Sequence, residues 1–305
     1  MTNPDKKLKN DKIVSKIFMA LAIICSSFIV FIVAVILVKG IMPFINNYDT
    51  ENGKYRASLW SFLTGTIWTD YKYGVLGMVI NTIYIVSISA SIALIISVLA
   101  ALFIVRIVPK KLSKVFESVI ELLASIPSII FGLFGQGFIC PMVREMASFM
   151  GIQTMGGSSN LSTIIVLIIM MIPTITMLTV TQMRSIKQDQ INASLALGAT
   201  KAQTDFKIVL GGSKAGIFSA LILGIGRALG EATAVSMVCG NAIDGPVFNL
   251  FDITRTLTST MMLGLHETTG VDYDIRFSVG IVLIVIILVT NIGLNKIRKR
   301  MMKNG

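Results

Sequence analysis

The chain has 305 residues and carries 27 Lys and Arg against 16 Asp and Glu, a formal net charge of +11. Hydrophobic residues make up 54% and charged residues only 14%, with a mean hydropathy of +0.79; soluble domains are about a quarter charged. This balance excludes an ordinary soluble domain. The basic residues fall in alternate segments between apolar runs, which also excludes nucleic-acid binding as their purpose.

A bilayer core about 30 Å thick takes roughly 20 apolar residues per helix. The runs 17–38, 78–105, 115–143, 161–183, 217–238 and 277–294 meet that length, the third interrupted by Pro127. The fold class that follows is an all-α polytopic membrane protein with six transmembrane helices. The first run is too long for a signal-peptide core and is followed by Lys39 without a small-residue cleavage site, so it reads as an uncleaved helix. Residues 39–74 read as an outer loop whose Trp60, Phe62, Trp68 and Tyr73 suit the membrane interface.

Most of the 27 basic residues lie in four places. These are Lys6, Lys7, Lys9, Lys12 and Lys16; Arg106, Lys110, Lys111 and Lys114; Arg184, Lys187, Lys201, Lys207 and Lys214; and Lys296, Arg298, Lys299, Arg300 and Lys303. The positive-inside rule then places both termini and these two links in the cytoplasm.

In the third helix, Pro127 removes a backbone donor and disfavours helix at Ile126. Broken helices at membrane depth are tolerated where they line a cavity or pack inside protein. Pro173 is expected to kink the fourth helix in the same way. Glu117 and Glu121 share one face near the inner end of the third helix. Glu117 is expected to face solvent or headgroups, and Glu121, close to the Pro127 break, is open to an Arg across a subunit interface. Residues 240–276 form a second outer loop without periodicity, where His266 reads as a surface residue. Cys25, Cys140 and Cys239 lack metal spacing; Cys140 and Cys239, near outer helix ends, could form a disulfide, but free buried thiols are the simpler expectation.

The link between the fourth and fifth helices is too polar to span and too apolar for a solvated loop. Residues 190–197 predict a short helix stopping at Gly198, suited to the left-handed position after a helix end. Thr200 and Gln203 make a capping-box pattern opening a second helix through Leu210. Ala199, Ala202, Phe206 and Val209 give this hairpin an apolar side that needs a partner, either its own bundle or another subunit.

This hairpin resembles the cytoplasmic motif of ABC-importer permeases, E-A-A-x3-G-x9-I-x-L-P. Asn192, Ala193, Ser194, Gly198, Ile208, Leu210 and Gly211 fall on its positions; Asn192 replaces the Glu, Ser194 the second Ala and Gly211 the Pro. The segments "SFLTGTIW", "LLASIPSIIFGLFG", "ASLALGATKAQT" and "GRALGEATAVSMVCGN" together are similar to the C-type permease subunits of phosphate-specific ABC importers (the PstC type), in the family's order. The resemblance implies a core permease domain over 75–297, preceded by 1–74 and followed by a basic tail, 298–305. It implies a bacterial plasma-membrane location and a hairpin seated in a groove of an ATPase subunit. The implied partners are a second permease of PstA type, an ATPase dimer of PstB type and an extracytoplasmic phosphate-binding protein of PstS type, all at a lipid membrane. No cofactor is expected on this chain, because no G-x-x-x-x-G-K-[ST] loop is present; ATP is used by the partner.

Arg227 and Glu231 are the only charges in the fifth run. An Arg at a helix centre costs about 2.5–3.5 kcal/mol on insertion scales, and such residues mark pathways or pair inside the bundle. Glu231, at i+4, is placed to pair with Arg227 along one helix. Two readings fit: a self-neutralised pair that bolts helices together, or an anion site in which the guanidinium fork matches phosphate oxygens. The family resemblance implies that both residues matter for phosphate passage. Gly224, Gly226 and Gly230 are expected to let another helix approach. Other functions the residues allow are passage of a different oxyanion or solute, or a stand-alone transporter or channel.

Overall fold

The computed structural model describes residues 4–50 and 53–303, with side chains described from Ile13 to Arg300 within those ranges. The side chains of Lys6, Lys7, Lys9, Lys12 and Lys303 lie outside the described residues. Among the described residues, six helices are long and apolar enough to cross a membrane. The first, α1 (Pro4–Ile45), packs along the last, α13 (Gly270–Lys303). Its most apolar stretch has no buried residue, a surface suited to lipid.

Helix α3 (Leu76–Leu102), extended by a π turn at Phe103–Ile107, and α7 (Asn160–Arg184) form the central pair. Ser89, Ala93 and Ser97 recur every fourth residue on α3 and are fully buried. Small side chains on one face let the two backbones come close: the Ser89 hydroxyl donates to the Ile164 carbonyl and the Ser97 hydroxyl to that of Ile172, both at 3.3 Å. Ile85, Leu167, Met171 and Ile175 fill the space around them.

The third span begins later than the sequence predicts. Helix α4 (Lys110–Ser125) is amphipathic and ends at Ile126, where the backbone turns extended through Pro127. The membrane-length stretch is Ser128–Phe149, made of α5 (Ser128–Phe134), a π turn at Gly135–Ile139 and α6 (Cys140–Phe149). Residues 115–125 thus belong to a separate helix packed against the basic end of α7. Glu117 is not simply solvated: Arg184 Nη1 donates to its Oε2 at 2.8 Å, and Nη2 donates to Oε1 and to the Ser113 hydroxyl. Glu121 is exposed and joins no ion pair among the described residues.

The described residues of segment 46–75 (46–50 and 53–75) form an ordered cap at the other end rather than a loop. It holds β1 (Tyr48–Thr50) paired antiparallel with β2 (Gly53–Tyr55), α2 (Leu59–Thr64), and β3 (Trp68–Thr69) paired with β4 (Lys72–Tyr73). Of the four aromatic residues expected at the interface, Phe62 and Tyr73 are core, Trp68 is half-buried, and only Trp60 is open, at 76% exposed. Tyr48 donates to Asp274 at 2.8 Å and Tyr73 donates to Asp272, tying the cap to the start of α13. Burial, and then the bond to Asp272, push the Tyr73 phenol well above its ordinary value, so it stays a donor.

The aperiodic segment 240–256 is ordered by buried side chains from distant helices. Asn81 on α3 accepts from Val247 N–H at 2.8 Å and donates to the Arg255 carbonyl; Asn160 donates to the carbonyls of Val247 and Asn249. The chain then enters α12 (Leu257–Met262) through a capping box of Thr256 and Ser259. His266 is exposed as expected, and Cys140 and Cys239 are free and buried, while Cys25 is exposed.

Candidate functional site

The fifth span is α10 (Leu210–Leu229), which continues without a break from α9 (Lys201–Thr204) through a π turn at Asp205–Val209. It stops at Gly230, and a separate short helix, α11 (Thr233–Val238), follows. Helical geometry is therefore lost between Arg227 and Glu231, and they do not pair as i and i+4. Glu231 Oε1 instead accepts from Ala234 N–H at 3.1 Å, in the first turn of α11. Its carbonyl accepts from the Thr258 hydroxyl on α12 at 2.8 Å. With its freed groups taken up by protein, the break can persist at membrane depth.

Arg227 lies in the last turn of α10, where the carbonyl end of the helix favours a cation. Its Nη1 donates to the Thr174 hydroxyl at 2.7 Å, one residue past Pro173 inside α7. Among the described residues no carboxylate forms an ion pair with it. It also lines an open groove of about 510 Å3 between α10 and α13. A half-buried guanidinium with spare donors and no counter-ion can hold an oxyanion.

Of the three glycines expected at helix contacts, only Gly224 is one. A Cβ there would stand 2.8 Å from Ile175 Cγ1, whereas at Gly226 it would meet nothing within 4 Å and at Gly230 only carbonyls of its own helix. Ile175 is fully buried and cannot yield. Gly224→Val is therefore expected to destabilise the protein by about 1–3 kcal/mol through overpacking, and Gly226→Ala to stabilise it by about 0.5–1 kcal/mol. Thermal loss of the monodisperse species in detergent measures both, and equal behaviour of the two variants would refute the assignment.

The hairpin is formed by α8 (Gln188–Ala196) and α9. Gly198 follows α8 with φ +85°, the left-handed geometry expected for it, and Thr200 and Gln203 make both bonds of the capping box. The Ser194 and Thr204 hydroxyls join the two helices at 2.9 Å. Ile191 and Val209 insert into a core with Leu102, Ile104 and Met183, and Arg106 pairs with Asp205 to fix the hairpin against the end of α3. One side of the hairpin is thus docked on its own bundle. The other is open: Leu197 is 89% and Phe206 55% exposed, with Asn192, Ala193 and Ala202 exposed and Ala199 half-buried nearby. Ile208, Leu210 and Gly211 are half-buried at the root of α10. Asn192, where the motif has Glu, accepts from Gln188 Nε2 at 3.1 Å within α8.

Sequence reading missed Thr174, Thr258 and Arg298. A hydroxyl directly after an intramembrane proline was a signal for the first. The second is distant in sequence from its partner, and the third is hidden among the basic residues of the C-terminal tail.

Six apolar spans with a half-docked helical hairpin between the fourth and fifth define the class: a polytopic all-α membrane protein with one open face on the hairpin. The model of the family described as binding-protein-dependent transport system inner membrane component matches residues 93–303, more than two thirds of the chain. The probable ABC transporter permease protein YqgH of Bacillus subtilis is 35% identical over 254 residues, 81% of this chain and 78% of that protein. The phosphate transport system permease protein PstC 1 of Mycobacterium tuberculosis is 30% identical over 251 residues, 76% of this chain and 74% of that one. In fold, the chain matches a chain of the bacterial alginate ABC transporter, solved in complex with an alginate pentasaccharide-bound periplasmic protein, with a TM-score of 0.65 at 16% identity, covering 98% of each chain. The chain therefore belongs to the family of binding-protein-dependent ABC transporter permeases, non-catalytic subunits of the inner membrane.

Proposed function

We propose that this chain is a PstC-type permease subunit that carries inorganic phosphate into the cytoplasm by alternating access. The observation that carries the reading is Arg227: a guanidinium with no carboxylate partner among the described residues, beside an open groove, in a chain with relatives named as phosphate permeases. Glu231 holds the break open at one end by capping α11. The hairpin seats its exposed Leu197 and Phe206 in the groove of an ATPase subunit of PstB type, which hydrolyses the ATP; a PstA-type permease completes the pore. A PstS-type binding protein delivers phosphate to the opposite face. Both termini and the basic links lie in the cytoplasm, as the positive-inside rule requires.

The test is uptake by the complex co-expressed with its ATPase and reconstituted with binding protein in proteoliposomes. Phosphate is expected to accumulate only with ATP inside the ATPase compartment, and sulfate is not expected to compete. Equal uptake of sulfate, or phosphate movement without ATP, would sink the reading.

A further inference from the structure

The groove that Arg227 lines lies between α10 and α13, and its other residues are as informative as Arg227. From α10 come Ser219, Gly226 and Arg227; from α13 come Asn291, Asn295 and Arg298; the rest of the lining is apolar and none of it is acidic. Asn291, Asn295 and Arg298 are spaced i, i+4 and i+7, one face of a helix. That face covers about 10 Å of rise, and Ser219 to Arg227 covers about 12 Å on the other wall. Two guanidiniums, two carboxamides and a hydroxyl facing one space, with no carboxylate, make a surface rich in donors and positive in charge.

Arg298 is not consumed by structure. Its Nη1 donates to the Ser219 hydroxyl at 3.0 Å, and it forms no ion pair among the described residues. Its Nε is buried and has no hydrogen-bond partner. A buried donor without a partner is costly, a state Arg298 Nε shares with those of Arg255 and Arg276 among the described residues. Gly226 leaves open space beside Arg227, so the two arginines share an uninterrupted groove.

We propose that Arg298, with Asn291 and Asn295, forms a second oxyanion-binding station on the inward leg of the path, receiving the anion after Arg227. This rests on the phosphate-permease reading for the identity of the anion but not for its charge. Residues at Arg298 thus act on the anion itself, not only on the basic balance of the tail.

The test uses the full complex with its ATPase. Asn295→Cys is treated with membrane-impermeant thiol reagents of opposite charge from the ATPase side, and labelling is scored above that of the parent. The anionic reagent is expected to react at least several-fold faster than the cationic one, and Arg298→Gln in the same background is expected to remove the preference. Inorganic phosphate is expected to slow labelling. Absence of labelling, or equal rates for the two reagents, overturns the station. A retained charge preference without protection by phosphate supports the station and counts against phosphate as the anion. In uptake, Arg298→Gln is expected to lose roughly tenfold with ATP turnover and the melting temperature of the complex kept. If Arg298→Gln instead lowers the melting temperature and ATP turnover together with uptake, Arg298 is a bolt between α10 and α13 and the inference falls.

Discussion

Arg227→Gln is expected to lower ATP-driven phosphate uptake roughly 10- to 100-fold while assembly and ATP turnover stay near parental levels. A hydrogen bond to a charged group contributes about 1.5–3 kcal/mol, and about 1.4 kcal/mol is a factor of ten. The protein itself loses little, since Arg227 has no ion pair among the described residues and donates one bond, to Thr174. Its favourable position at the end of α10 is worth about 0.3–1 kcal/mol. Arg227→Lys keeps the charge but not the fork, so it is expected to fall between parent and Gln. Thr174→Val separates the two roles. If the bond to α7 is what matters, Thr174→Val reproduces the loss; if the anion is, uptake stays within a few-fold of the parent. Glu231 behaves differently. Glu231→Gln keeps an acceptor for Ala234 N–H and is expected to be mild, whereas Glu231→Ala loses a helix-start acceptor worth about 0.5–2 kcal/mol.

The contrast between these residues shows what the sequence could and could not carry. Arg227 stood out because a lone Arg in an apolar run is expensive. Its relation to Glu231 was misread because a four-residue spacing implies contact only if the helix continues. Run length cannot reveal a break at Gly230 after which the Glu231 carbonyl is taken by Thr258, 27 residues later. The same error moved the third span: apolar residues were counted through Pro127, although the residues before it form an amphipathic helix bearing lysines and glutamates. Counting residues measures hydrophobicity, not continuity. The cap over residues 46–75 failed for a related reason. Tyr73 and Phe62 look like interfacial aromatics until Asp272 on α13 and Phe44 on α1 supply their partners.

Local devices, by contrast, were fully legible. Gly198 at φ +85° and the reciprocal bonds of Thr200 and Gln203 involve residues within a turn of one another, so no distant partner could alter them. The apolar side of the hairpin was legible only in part. Val209 proves to belong to the bundle core, and Leu197, not singled out in the sequence, is the most open of its apolar residues.

That openness sets the second large effect. Leu197→Asp and Phe206→Asp are each expected to weaken binding of the ATPase subunit about 10- to 100-fold, since burying a Leu or Phe side chain is worth about 1.5–3 kcal/mol and interface energy concentrates in such anchors. At 89% and 55% exposure, neither residue contributes much to the chain's own core, so the permease is expected to keep its thermal stability in detergent. Gly198→Val acts by another route. A β-branched residue forced to positive φ costs about 1–2 kcal/mol or shifts the turn, and the two hairpin helices lose the register that brings Ser194 to Thr204. Pull-down of the ATPase with each variant, beside a melting curve of the permease alone, reads both quantities. Lost binding with an unchanged melt assigns the open side to the ATPase. Unchanged binding in both Asp variants would mean that Leu197 and Phe206 meet lipid or another partner, and that the driving contact lies elsewhere on the chain.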